Sequence, residues 1–313
     1  MLKKITQTIF LFVGIATHAF VFGGTPTDVS FTNEDGLVLT GKLFIPITSP
    51  QTISPAVIML HGCKGIYNDQ GNIASIYREW GDRLTAAGYV ALLVDSYTPR
   101  HNLDPAVTLD QCGNGAGVGV SEIFDRPKDA TAAHEYLTEQ STLINASKIG
   151  ILGWSNGAST VISSLSTIQP ITTKGIIANP NAANVPFKVG VAFYAGCGLA
   201  DYRCGTQSNG KPASCFGGLS ASKWDSYSPL RFFHGSSDTV VSAANCNTRV
   251  SKAATIAEGG PATLTIYDNA VHSFDDNSVG GGVCIYQTST PNSCAKQKAD
   301  IEAMKSLNQY LKY

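Results

Sequence analysis

The pentapeptide Gly153-Trp154-Ser155-Asn156-Gly157 closes an apolar run, "KIGILGW", and opens onto the small-residue segment "ASTVISSLSTI". It is a G-x-S-x-G pattern between an expected strand and an expected helix, the context in which the motif has a physical reason. A serine thrust outward at so sharp a turn leaves no room for side chains two residues to either side, so both positions call for glycine. The serine then stands at a helix N-terminus, where unpaired backbone N–H groups and the helix dipole favour negative charge. That arrangement suits a nucleophile for acyl transfer.

A hydroxyl is a weak nucleophile until a base takes its proton, and the base needs an acceptor to hold it in the right tautomer. The motif goes with the chain order serine, acid, histidine, and after Ser155 two histidines remain, His234 and His272. His234 directly precedes Gly235 at a strand end and is read as structural. His272, in "NAVHSFDD", follows the last expected strand and is the expected base. Asp238, in "FFHGSSDTVV", occupies a loop just after an apolar strand and is the expected acid. Asp275 and Asp276 compete for that role, but sitting in the same loop as His272 they would need a tight local turn to reach its ring. Charge developing on a carbonyl oxygen must meet preorganised donors. The candidates are the N–H groups of Asn156 and of Cys63, the latter in the loop "HGCKG", which His61 is read as bracing. Trp154, inside the motif, is a further candidate for contact with substrate.

The elements that must position these groups can be traced along the chain. Residues 29–46 alternate about a turn at Asp35-Gly36 and predict a hairpin. "PAVIMLHG" (55–62) and "YVALLVDSY" (89–97) are continuous apolar runs, as central strands of a parallel sheet should be. Helical spacing marks 73–88 and 125–140; 148–154 is a strand, and 158–168 opens a helix. Strands follow at 189–196, 229–235 and 262–270, with helices near 242–257 and 295–312. The pattern predicts one α/β domain over 25–313, with a mostly parallel central sheet flanked by helices on both faces. Two long polar stretches near 98–121 and 198–227 interrupt the rhythm and are expected to be loop insertions that leave the carboxyl ends of strands, where ligands bind in such sheets.

The chain of 313 residues is 43% hydrophobic and 14% charged, with a formal net charge of -1. That balance supplies no basic footprint for nucleic acid or anionic lipid, so a small-molecule or polymeric substrate is the expected partner. Lys3 and Lys4 precede the apolar run Ile9 to Ala16, and small residues follow, so residues 1–24 predict a signal peptide cleaved near 19–24 and a periplasmic or secreted product. The run falls short of the roughly 20 apolar residues that span a bilayer. Eight cysteines agree with export. Cys284 with Cys294 would close a small loop, and Cys63 with Cys112, Cys197 with Cys246, and Cys204 with Cys215 would complete a set. No C-x-x-C pair is present, and neither a metal nor a cofactor is implied.

"HGCKG", "DSYTPR", "RPKDATAAHEYL", "GWSNGAS", "FYAGCG", "FHGSSDTVV" and "YDNAVHSFD" together resemble the dienelactone hydrolase family of the α/β-hydrolase superfamily, over roughly residues 55 to 312. The resemblance implies an α/β-hydrolase fold with Ser155, Asp238 and His272 at the triad positions and the Cys63 and Asn156 amides at the oxyanion hole. The chain departs from the best-known members in having serine where they carry cysteine, and in having Gly62 where they carry an acidic residue; those members hold a substrate carboxylate with arginines, and the resemblance leaves Arg100 and Arg126 as the candidates for that contact. An exported serine hydrolase acting on carboxylic esters or lactones is therefore expected. The alternatives are a peptidase or amidase of the same fold, and a non-catalytic binding module on a hydrolase scaffold.

Overall fold

The computed structural model describes residues 24–47, 53–112, 119–167, 187–199, 219, 224–253, 262–277 and 290–313. Segment 1–23, with nearly all of the expected signal peptide, lies outside the described residues, as do Cys204, Cys215, Cys284 and most of 198–227.

A hairpin of β1 (Thr27–Thr32) and β2 (Val38–Phe44) opens the fold. Its turn closes where Asn33 accepts two backbone N–H groups and Gly36 takes a φ of 78°, a conformation that glycine adopts freely. Then come β3 (Ser54–Leu60), α1 (Ser75–Ala86), β4 (Val90–Asp95), α2 (Thr98–Leu103), α3 (Arg126–Glu139), β5 (Ile144–Trp154) and α4 (Asn156–Ser164). The chain ends with β6 (Gly190–Phe193), β7 (Leu230–Gly235), α5 (Ala243–Lys252), β8 (Ala262–Tyr267) and the C-terminal helix α6 (Pro291–Leu311). The strands form one sheet in the order β1-β2-β4-β3-β5-β6-β7-β8. The pairs β1/β2 and β2/β4 are antiparallel and all the others parallel.

Alternation along the central strands divides the core in two. Ile58, Leu60, Leu92 and Ile151 face one layer with residues of α3 and α4; Val57, Met59, Leu93 and Leu152 face the other with Trp80 of α1 and Leu307 of α6. Strands buried on both faces have no polar side to show, which is why they are continuous apolar runs in the sequence. The expected doubly covered, mostly parallel sheet is thus the one observed. One expectation is corrected: residues 98–103 form a helical turn, α2, because Pro99 at its start presets φ and the Asp95 carboxylate accepts the N–H groups of Tyr97 and Thr98.

After β3 the chain moves to β4 on one side, while β5 lies on the other side of β3, so the ends of β3 and β5 border a topological switch point. Two disulfides staple this end of the molecule, Cys63 to Cys112 and Cys197 to Cys246, both in the expected pairing. Cys294 is disulfide-bonded as well, and its expected partner, Cys284, lies outside the described residues. On the opposite layer, Lys296 and Asp300 of α6 interlock with Glu79 and Arg83 of α1. No helix among the described residues is long and apolar enough to cross a membrane.

Candidate active site

Strand β5 runs into α4 through Ser155, whose φ of 50° and ψ of -115° lie where a side chain is strained. The turn is held by its neighbours: the Ser155 N–H donates to Phe193 O at 2.9 Å, and the Ser159 N–H returns to Ser155 O at 3.0 Å. The two glycines are required by close approach. A Cβ on Gly153 would sit 2.4 Å from Gly157 O, and one on Gly157 would sit 2.1 Å from Leu60 O. The turn therefore packs directly against the end of β3, and Gly62 lies beside the Ser155 side chain.

His272, five residues beyond β8, reaches back to this turn. Its Nε2 is 3.1 Å from Ser155 Oγ, and its Nδ1 is 2.7 Å from Asp238 Oδ2. The ring packs edge-on against Tyr194, centroid to centroid 4.7 Å. Asp238 follows β7, and its side chain is wholly buried. Its Oδ1 accepts the N–H groups of Val240 and Val241, and its Oδ2 also lies 3.3 Å from His234 Nε2. Burial alone would raise the pKa of this carboxyl, but the bonds from His234, His272 and the Val241 amide outweigh it and hold the group well below the usual carboxylate range. His234 is thus more than the structural strand-end residue read from the sequence: it is a second partner of the acid. Its four-residue spacing from Asp238 across a tight loop was the available signal.

Asp275, the sequence competitor for the acid, turns the other way and accepts from Trp154 Nε1 at 2.9 Å. Full burial and the nearby Asp300 charge push it up to about 7. Asp276 has its N–H bonded to Ser273 O within the turn that carries His272.

Cys63, in the turn after β3, and Asn156, the first residue of α4, the expected amide donors, are both half-buried. Trp154, Arg100 and Arg126, the candidates for contact with substrate, each have protein partners in the fold. Trp154 is 1% exposed and lies in the core between Tyr77 and Phe193. Arg100 grips both carboxylate oxygens of the buried Asp129 and also donates to Ser96 O. Arg126 is fully buried and donates to His61 O and to Asn156 Oδ1. No group of three or more His, Cys, Asp or Glu among the described residues is placed to hold a metal.

A family model described as the prolyl oligopeptidase family matches residues 125–282, the span that carries Ser155, Asp238 and His272. No curated protein matches the sequence. Among solved structures, a protein assigned as a dienelactone hydrolase from Klebsiella pneumoniae is similar, with 16% identity and a TM-score of 0.57 over 91% of this chain and 100% of that one. A dienelactone hydrolase-like promiscuous phosphotriesterase from metagenomic libraries has 17% identity and a TM-score of 0.56 over 92% of this chain and 99% of its own. A puromycin-hydrolyzing peptidase of Mycobacterium tuberculosis has 12% identity and a TM-score of 0.58, over 94% of this chain but 41% of the peptidase. At such identities the likeness shows a shared fold, the α/β-hydrolase fold expected from the sequence motifs.

Proposed function

The chain belongs to the prolyl oligopeptidase family of hydrolases, and from that premise we propose that it is an exported serine hydrolase cleaving carboxylic esters or lactones through an acyl-enzyme. The observation that carries this reading is one imidazole within hydrogen-bond reach of both a strained serine hydroxyl and a buried carboxylate. Asp238, held ionised by its donors, accepts from Nδ1–H of His272 and leaves Nε2 free to take the Ser155 proton. Ser155 Oγ then bonds to the substrate carbonyl carbon, and the negative oxygen faces the Cys63 and Asn156 amides. Collapse breaks the bond to the leaving oxygen, which takes the proton from His272 Nε2. Water, deprotonated by the same nitrogen, releases the acyl group and restores Ser155. No cofactor enters these steps.

Two observations bear on substrate class. The match extends over 100% of the dienelactone hydrolase-type structure and 41% of the peptidase, which favours a compact ester or lactone, free or within a polymer. The family match itself favours a peptide and is the basis of the second reading. Export is supported by the N-terminal pattern of the sequence and by the disulfides, which persist in oxidising compartments.

Ser155→Ala should abolish release of p-nitrophenol from short acyl esters and labelling by a fluorophosphonate. Undiminished turnover in that variant would overturn the nucleophile assignment. A panel of ester, lactone and prolyl-peptide substrates decides between the two readings: faster turnover of the peptides would reverse the preference stated here.

A further inference from the structure

Arg126 stands at the start of α3 with no exposed surface, and burying a cation is costly unless its donors are used. Two of its nitrogens serve two different segments, the turn after β3 and the start of α4. Nη2 donates to the main-chain oxygen of His61, 65 residues upstream, at 2.8 Å; Nη1 donates to the side-chain oxygen of Asn156, 30 residues downstream. The guanidinium lies over the Tyr97 ring, 5.3 Å from its centroid, and the Tyr97 hydroxyl donates to the same Asn156 oxygen at 3.2 Å. These two segments carry the amides assigned above to the oxyanion hole.

We propose that Arg126 is a positioning residue that fixes the spacing and direction of the Cys63 and Asn156 amides relative to each other. The inference rests on the serine hydrolase reading. The peptide between His61 and Gly62 is held on both sides: its carbonyl accepts from Arg126, and its N–H donates to the Tyr77 hydroxyl at 2.8 Å. A planar trans peptide held at both its oxygen and its hydrogen cannot turn. The next peptide is fixed by the His61 ring. Ser96 N–H donates to Nε2 at 3.2 Å, which assigns the ring proton to Nδ1, and Nδ1 donates to Gly62 O at 2.6 Å. Because carbonyl and N–H of one trans peptide point opposite ways, anchoring Gly62 O sets the direction of the Cys63 N–H. Arg126 couples this assembly to the turn at Ser155 through the Asn156 side chain. A lysine could not do the same, since its single point charge lacks the planar fork that reaches two acceptors at once.

The test compares Arg126→Met, Arg126→Lys and Asn156→Ala in the full chain, using p-nitrophenyl butyrate and a trifluoromethyl ketone as transition-state mimic. A misplacement of the donors should cost about 100-fold in kcat for Arg126→Met, with KM changed less than about threefold, and the mimic should bind more weakly by a similar factor. Asn156→Ala keeps its main-chain N–H but loses the acceptor. It should lower kcat about tenfold alone and by less than about twofold in the Arg126→Met background, because the two changes remove one shared contact. Arg126→Lys should remain at least about tenfold below the parent. A raised KM with unchanged kcat, independent effects in the double variant, or full rescue by lysine would each overturn the proposal. If Arg126→Met fails to fold by circular dichroism, the other two variants decide. Ser155→Ala is assayed in parallel: activity retained there overturns the nucleophile reading itself, whereas an inert Ser155→Ala beside a fully active Arg126→Met overturns only the positioning role.

Discussion

Nδ1 of His272 lies 2.7 Å from Oδ2 of Asp238, a carboxyl with no exposed side-chain surface that also receives two backbone N–H groups. The donors decide the charge of that carboxyl against the cost of burying it, and a charged Asp238 decides the tautomer of the imidazole. Asp238→Asn should therefore leave the ring in place but present the wrong nitrogen to Ser155. A loss of about 1,000- to 10,000-fold in kcat, with KM nearly unchanged, is expected in p-nitrophenyl ester assays. Asp275→Asn, which faces Trp154 instead, should fall far less.

Asp275 gives the protein a pH-dependent stability of definite sign. Its folded-state pKa is raised to about 7 from 3.8 by burial and by Asp300, against the opposing pull of Lys296 and of the Tyr194 and Trp154 donors. Between those values the folded chain keeps a proton that the unfolded chain has lost, so stability falls as pH rises from about 4 to about 7 and then levels. Asp238 acts with opposite sign at lower pH: its depressed folded value means stability is lost as pH drops below the ordinary carboxylate range. Urea midpoints of the parent and Asp275→Asn across pH 4 to 8 check this; the variant should show a flatter profile in the upper window.

The disulfide Cys63–Cys112 fastens the candidate oxyanion loop to residues 104–112, an attachment reinforced by the Gln111 N–H donating to Cys63 O at 2.8 Å. Replacing both cysteines by alanine should destabilise the fold by about 2–4 kcal/mol, the usual range for closing a loop of such length. It should also lower kcat, because the Cys63 amide loses its anchor. Replacing Cys197 and Cys246 should cost comparable stability with less effect on kcat, since that bridge ties the segment after β6 to α5. Denaturant melts and steady-state kinetics of the two double variants separate the outcomes.

Gly157→Ala should fail to fold or should unfold at far lower temperature, because the added methyl would meet Leu60 O at 2.1 Å and His61 O at 2.5 Å, both backbone. Gly198→Ala, whose nearest neighbour would be the Asn245 side chain at 3.3 Å, serves as the tolerant comparison. Thermal melts by circular dichroism measure the difference.

Much of this was legible in the sequence for local reasons. The continuous apolar runs at 55–62 and 89–97 have the length and composition of strands covered on both faces, and the glycines around Ser155 announced a turn with no space beside it. The helix at 98–103 was missed because its six residues carry no amphipathic period, and its start is set by an acceptor, Asp95, belonging to the strand before it. The partners of Trp154, Arg100 and Arg126 were not legible, because residue types along the chain do not say what each group meets.

The sequence by itself determined the order of strands and helices, the sharp turn at Ser155, and the short roster of histidines and carboxylates that could serve it, since each follows from periodicity or from the steric demands of neighbouring residues. Only the tertiary structure decided which of those groups share a space. The antiparallel entry of β2, the reversal of strand order beside β3 and the return of the 270–277 turn bring together residues separated by 30 to 121 positions, directing Asp275 to Trp154 and Arg126 to both the loop after β3 and the start of α4. Such pairings depend on how whole layers pack, a non-local property that residue types and spacing along the chain do not carry.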